Sequence, residues 1–178
     1  TLNSQTLQEI HELVTDLRPS LLDNLGLVSA LRSQVATFQK RTGISAAFTN
    51  TGHRRRIDPD LEMTIYRILQ EALTNIAKHA TPTQVKVRLV FRQERLCLRI
   101  RDNGQGFDAE QVMNSGIKGR AAWGLLGMQE RISLTGGYFF IKSNARVGTI
   151  IQVCIPCLTL QNESVEKMNR RGAESAEV

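Results

Sequence analysis

The sequence predicts an α+β protein in which one sheet is covered by helices and preceded by a long helical element. Apolar residues recur at helical spacing through 2–41 and again through 58–79. Two pairs of alternating segments, Gln84–Arg92 with Arg95–Asp102 and Tyr138–Ser143 with Thr149–Ile155, read as hairpins. Hydrophobic residues make up 41% of the 178 residues and aromatics only 5%, so the core is expected to consist of Leu, Ile, Val and Ala.

The elements follow in order. Leu2, Leu7, Ile10, Leu13, Val14 and Leu17 set a helix over 2–18. Arg18-Pro19 interrupts it, because proline lacks a donor and disfavours helical geometry in its predecessor. A helix resumes over 21–41 and ends at Gly43, and Ile44–Thr49 reads as a short strand. Asp58 as cap and Pro59 in the first turn start the next helix, which runs to about His79 and stops before Pro82. A tight turn at Gln93-Glu94 joins the first strand pair. Residues 108–123 show little apolar pattern and several small residues, so a mobile, lid-like loop is expected there. A helix over 125–135 is closed by Gly136-Gly137, and the second hairpin turns through Asn144–Gly148. From Leu158 the tail is polar and mixed in charge, and disorder is expected.

The net charge of +6 suits an anionic partner: a nucleotide, an acidic protein or nucleic acid. Arg54-Arg55-Arg56, the only basic cluster in the body of the domain, reads as a solvated loop, so no direct nucleic-acid contact is expected. Three cysteines, an odd number, argue against a disulfide framework, and Cys154 and Cys157 read as packing residues despite their C-x-x-C spacing. No apolar run approaches the length needed to span a bilayer. The chain opens at Thr1 in mid-helix pattern and without Met, so it reads as a piece of a longer protein.

Three stretches fit together as one nucleotide site. On the 58–79 helix, Glu71, Asn75 and His79 step about 40° apart at roughly 100° per residue, with Lys78 on the other side of Glu71. Asn75 offers a carbonyl oxygen to a hard cation such as Mg²⁺, which takes few protein ligands alongside waters and phosphates. Glu71 can accept a proton or hold a metal-bound water, and Lys78 and His79 can meet phosphate oxygens. Asp102 ends an apolar strand, where a carboxylate can accept the adenine amino hydrogen. Gly104 and Gly106 let the backbone turn and a flat base approach. Gly124, Leu125, Gly127 and Met128 open a helix, whose free N–H groups would cradle phosphate. Thr149 can join Asp102 in a water-bridged contact to the base. Each stretch alone also has an ordinary reading: an amphipathic helix edge, a strand-end turn, a loop-to-helix junction and a hairpin turn.

With these residues the chain resembles the GHKL ATP-binding fold of histidine kinases, DNA gyrase B, Hsp90 and MutL, over roughly residues 58–156. Glu71–His79 resembles the N box, Asp102–Phe107 the first glycine box and Gly124–Met128 the second. The segment Leu17-Arg18-Pro19-Ser20-Leu21-Leu22-Asp23-Asn24-Leu25-Gly26-Leu27 resembles the second dimerisation helix of histidine kinases paired with LuxR/NarL-type regulators. Gly124-Leu125-Leu126-Gly127-Met128-Gln129-Glu130-Arg131 is similar to that subfamily's second glycine box.

The resemblance implies a Bergerat-type two-layer sandwich of helices on one mixed sheet, preceded by a helical dimerisation segment. It divides the chain into 1–42, the second helix of the dimerisation and phosphotransfer region; 43–157, the ATP-binding domain; and 158–178, the tail. It implies a protein histidine kinase using ATP and Mg²⁺, with Glu71 and Asn75 catalytic and Asn75 as the metal ligand. Its acceptor His would lie on a helix upstream of Thr1, and its partners would be that helix, a response regulator with a DNA-binding output domain, and a second copy in the full-length homodimer. The fragment is then expected in the cytoplasm, its parent anchored in the inner membrane through upstream segments. His11-Glu12 has the form of a phosphoacceptor signature but sits on what resembles the second helix, so His11 reads as an exposed helix histidine. The rival implications are an anti-sigma serine kinase and an ATPase clamp.

Overall fold

The computed structural model describes residues 20–53, 55, 57–114 and 120–157. The expectations for 2–18, for His11 and for the tail from Leu158 fall outside the described residues. Helix α1 (Ser20–Thr42) is broken at Gly26, whose φ of 72° and ψ of 170° are not helical, so the expected unbroken helix is in fact two pieces. Strand β1 (Ser45–Thr51) follows. Helix α2 (Pro59–Asn75) begins as the sequence predicts: the Asp58 carboxylate accepts from the backbone N–H of Asp60 at 2.8 Å, with Pro59 in the first turn. It does not continue as an α-helix to His79. Residues Ile76–Ala80 widen into a π turn that stops at Thr81, whose φ is 44°. The helical wheel used for Lys78 and His79 therefore fails beyond Asn75.

Strands β2 (Gln84–Phe91), β3 (Arg95–Asp102), β4 (Tyr138–Asn144) and β5 (Gly148–Pro156) complete a five-stranded sheet of order β1-β2-β3-β5-β4. The β1–β2 pair is parallel, with α2 as its crossover, and the remaining pairs are antiparallel. A parallel pair needs such a crossover, whereas the hairpins close through short turns. Alternation does the rest. Val85, Val87 and Leu89, then Leu96, Leu98 and Ile100, then Ile151, Val153 and Ile155, all point to one face and are buried. Against them pack Ile65, Ile68, Leu69 and Leu73 of α2, each worth about 1.5–3 kcal/mol of burial. Helix α1 adds Leu22, Leu27, Leu31, Val35 and Phe38 to this same core.

Three expectations are corrected here. Residues 108–123 are not a loop throughout: Ala109–Asn114 form a short helix α3, and helix α4 (Arg120–Leu134) starts within the segment. The odd cysteine count misled. Cys97 and Cys154 stand directly opposite each other on β3 and β5 and are joined by a disulfide, their Cα atoms 4.1 Å apart. Cys157 is the free, buried thiol. Nor is Arg55 a solvated loop residue. Its guanidinium donates to the carbonyls of Arg92 at 2.8 Å and Cys157 at 3.0 Å, pinning the β2–β3 turn to the end of β5. Arg54 and Arg56 lie outside the described residues.

Candidate functional site

Asp102 is the last residue of β3 and shares inward parity with Leu96, Leu98 and Ile100, so its carboxylate faces the helices instead of solvent. It is 3% exposed. Its Oδ1 accepts the Gly104 amide at 2.8 Å. Burial pushes its pKa above the ordinary carboxylate value, and backbone hydrogen bonds from Gly104, Thr149 and its own amide pull against that shift. The start of β5 is pressed onto this strand end. Gly148 has φ 96°, and a Cβ there would collide with the Asp102 carbonyl oxygen, so only glycine fits.

Thr149 follows, buried, its hydroxyl 2.9 Å from that of Ser143. Ser143 also accepts the Phe107 amide at 3.0 Å, which fixes the loop after β3 over the site. The sequence reading missed Ser143. The available signal was its place as the last inward residue of β4, paired with Thr149. Asp102, Ser143 and Thr149 are the buried polar residues among those described.

The second wall comes from α2 and the π turn. Asn75 Nδ2 donates to Glu71 Oε1 at 3.2 Å, one helical turn away. That bond directs the amide nitrogen to Glu71 and leaves the Asn75 carbonyl oxygen as the group suited to a cation. The π turn then presents its last carbonyls outward: Gln105 donates from its backbone N–H to Ala80 O at 2.9 Å and from its side chain to His79 O at 2.6 Å. The loop after β3 is thereby latched to the end of the helix. His79 borders the site, whereas Lys78 is exposed and is not among the lining residues. Single π turns inside helices recur at functional sites because they re-aim backbone groups.

The expected phosphate cradle is corrected. Helix α4 begins at Arg120, so Gly124, Leu125, Gly127 and Met128 lie within its turns, not at its opening. Their N–H groups serve the helix ladder instead of standing free. Leu125 lines the site; Met128 is 2% exposed and belongs to the core; no atom beyond the helix stands within 4 Å of a Cβ built at Gly127. Gly124 has a different reason to be glycine: a Cβ there would overlap Glu71 Oε1 and lie 3.3 Å from Asn75 Nδ2. Its missing side chain lets α4 close onto the Glu71–Asn75 pair.

Together these elements enclose a cavity of about 210 Å³. Asn75, His79, Asp102, Gly106, Leu125 and Thr149, all named from sequence, line it. Ile76, Ile100, Phe107, Val112 and Ile151 supply apolar walls that the sequence reading did not assign, although Ile100 and Ile151 stand two residues from Asp102 and Thr149 on the same faces. A flat apolar ring carrying an amino group matches such a slot. The ring meets aliphatic walls and the amino group meets the buried carboxylate. Among the described residues no group of three or more His, Cys, Asp or Glu side chains is placed to hold a metal, and no helix is long and apolar enough to cross a membrane.

Residues 60–159 match the family described as histidine kinase-, DNA gyrase B- and HSP90-like ATPase. The chain is 35% identical over 154 residues to the signal transduction histidine-protein kinase/phosphatase DegS of Brevibacillus brevis, covering 86% of this chain and 38% of that protein. It is 34% identical to the oxygen sensor histidine kinase NreB of Staphylococcus carnosus, covering 86% of this chain and 43% of that one. The chain thus spans about two fifths of the length of these relatives. In fold it is similar to the Acinetobacter baumannii histidine kinase AdeS, with a TM-score of 0.60 at 17% identity over 85% of this chain and 80% of the other.

Proposed function

The chain belongs to the histidine kinase-, DNA gyrase B- and HSP90-like ATPase family and carries a histidine kinase-type ATPase domain, and from that premise we propose that it is the catalytic core of a two-component sensor kinase of the NarL-paired type. It binds ATP and directs the γ-phosphoryl to a histidine on a helix upstream of Thr1. From there the phosphoryl passes to a response regulator with a DNA-binding output domain, within a homodimer of the full-length protein. The observation that carries this reading is Asp102, a buried carboxylate at the end of an apolar slot.

In this reading Asp102 accepts the adenine amino hydrogen, and Thr149, backed by Ser143, supports the same edge of the base. Ile100, Ile151 and Phe107 hold the ring. The Asn75 carbonyl oxygen and the Glu71 carboxylate form a donor pair suited to Mg²⁺, which takes few protein ligands. When bound, the ion supplies charge neutralisation at the phosphates. Glu71 orients Asn75 and is the candidate base. His79, at the rim of the cavity, and Lys78, on the exposed surface of the π turn beside it, are positioned for the phosphate tail. The α4 amides are assigned no phosphate contact in the conformation described. Catalysis is then chiefly positioning and electrostatics. Residues 1–42 are assigned to the dimerisation and phosphotransfer region through the resemblance of Leu17–Leu27. Because α1 shares the domain's core, it is the joint through which that region would move the domain. The fragment acts in the cytoplasm, its parent held at the inner membrane by upstream segments.

The test is incubation with γ-labelled ATP and Mg²⁺, alone and with the parent's upstream helix. The expected result is ATP binding by the chain and acid-labile, base-stable label on the added helix only. Acid-stable label on a serine of a partner protein would favour the anti-sigma kinase. Hydrolysis without transfer would favour a clamp. Label that appears on the chain itself and vanishes in His11→Gln would make His11 the acceptor.

A further inference from the structure

The face of the sheet turned away from the helices carries charge of one sign. Outward positions on β2 are Gln84, Lys86, Arg88 and Val90, and on β3 Arg95, Cys97, Arg99 and Arg101. The register sets Lys86 opposite Arg101 and Arg88 opposite Arg99. Lys142 lies outward on β4. No Asp or Glu occupies an outward position on any of the five strands. Like charges directly opposite one another destabilise a sheet. A fold that stacks two such pairs side by side, with no carboxylate between them, gives up stability locally, and departures of this kind concentrate where a surface has a use. The face is also concave. Arg88, Arg92, Arg95 and Arg99 surround a hollow of about 410 Å³ floored by Val90 and the Cys97–Cys154 disulfide.

We propose that this open sheet face is a docking surface for an acidic polypeptide segment of a partner protein, one that brackets an apolar residue with carboxylates. Guanidinium groups grip carboxylates through paired hydrogen bonds, and the apolar floor takes the intervening side chain. A bilayer surface is flat and would not reach the floor. A single nucleic-acid strand needs aromatic platforms under its bases, yet the centre of this face is filled by cation pairs, and its exposed aromatics, Tyr138 and Phe140, stand on the edge strand. The face lies across the sheet from the Asp102 cavity, so an occupant would leave that cavity open. The proposal is independent of the reading given for the cavity.

The experiment measures fluorescence anisotropy of a labelled peptide alternating Glu and Leu, titrated with the chain. Parallel arms use phosphatidylglycerol vesicles and a single-stranded oligonucleotide. Arg88→Gln/Arg99→Gln is compared with Lys40→Gln/Arg41→Gln, an equal charge change at exposed residues on α1. The expected result is peptide binding weakened roughly tenfold or more by the first double variant and little by the second, with ATP affinity unchanged in both. Thermal melting of the first should be equal or higher, since like charges are separated. Equal losses in the two variants, no peptide binding, or tighter binding of vesicles or oligonucleotide through the same arginines would each overturn the proposal.

Discussion

Gly124 of α4 rests against Glu71 of α2, so closely that a β-carbon at 124 would overlap the carboxylate oxygen that holds Asn75. The pair on α2 is thus positioned from two sides: by its own helical spacing and by a glycine in a neighbouring helix.

Gly124→Ala should leave stability nearly unchanged while lowering Mg²⁺-ATP affinity several-fold. Alanine inside a helix gains about 0.5–1 kcal/mol over glycine, which offsets the cost of displacing a flexible Glu71 side chain. Calorimetric titration and a thermal melt check the two halves. Unchanged affinity would show that the Glu71–Asn75 geometry does not matter for the nucleotide.

Asp102→Asn should keep the fold and weaken ATP binding by roughly ten- to a hundredfold, through loss of a charge-assisted hydrogen bond worth about 1.5–3 kcal/mol. The measurement is ATP affinity against that of GTP. If the variant binds ATP as tightly as the parent, the carboxylate does not read the base.

The same substitution has a signature in the nucleotide-free domain. Burial raises the Asp102 pKa above its unfolded value. The folded state therefore holds more protons than the unfolded state between those two pKa values, and stability falls as pH rises through that window. Removing the charge should raise the Tm at neutral pH, and the gain should shrink as pH drops below the ordinary carboxylate range. A Tm difference that does not change with pH would contradict this.

Asn75→Ala should cut Mg²⁺-dependent nucleotide binding by roughly ten- to a hundredfold, the usual loss at a metal-site residue, and leave metal-free binding close to the parent's. Titrations with and without Mg²⁺ distinguish the two. Equal loss in both would make Asn75 a base or ribose contact instead.

Alkylation of the denatured protein, prepared without reductant, should modify Cys157 alone, because Cys97 and Cys154 are bonded to each other. Reduction should then expose all three thiols and lower stability by up to about 4 kcal/mol, the loop-closure value for a sequence separation of 57 residues. Three labelled thiols before reduction would contradict the pairing.

The site was legible where a residue's role follows from its own element. Asp102, Thr149, Asn75 and Gly106 could be named because strand parity, helical spacing and turn chemistry are local. What depends on register was hidden. Cys97 is paired with Cys154 only once β3 lies beside β5. The basic sheet face needs Lys86 and Arg88 brought opposite Arg101 and Arg99, whereas the sequence drew attention to Arg54-Arg55-Arg56. Gly124 was misread because the start of α4 falls in a stretch with weak apolar periodicity, so the helix seemed to open at the glycine when it opens at Arg120.

The π turn over Ile76–Ala80 also sets the phase in which the helix hands the chain on. It fits one more residue into its span than a regular turn would. A deletion of Ala77 would let the segment rewind as α-helix at no local cost, yet would rotate everything after it by about 100°. His79 and Ala80 would then turn their carbonyls away from Gln105, and the latch between helix and loop would open. The extra residue thus works as a spacer that keeps two distant parts of the chain in step.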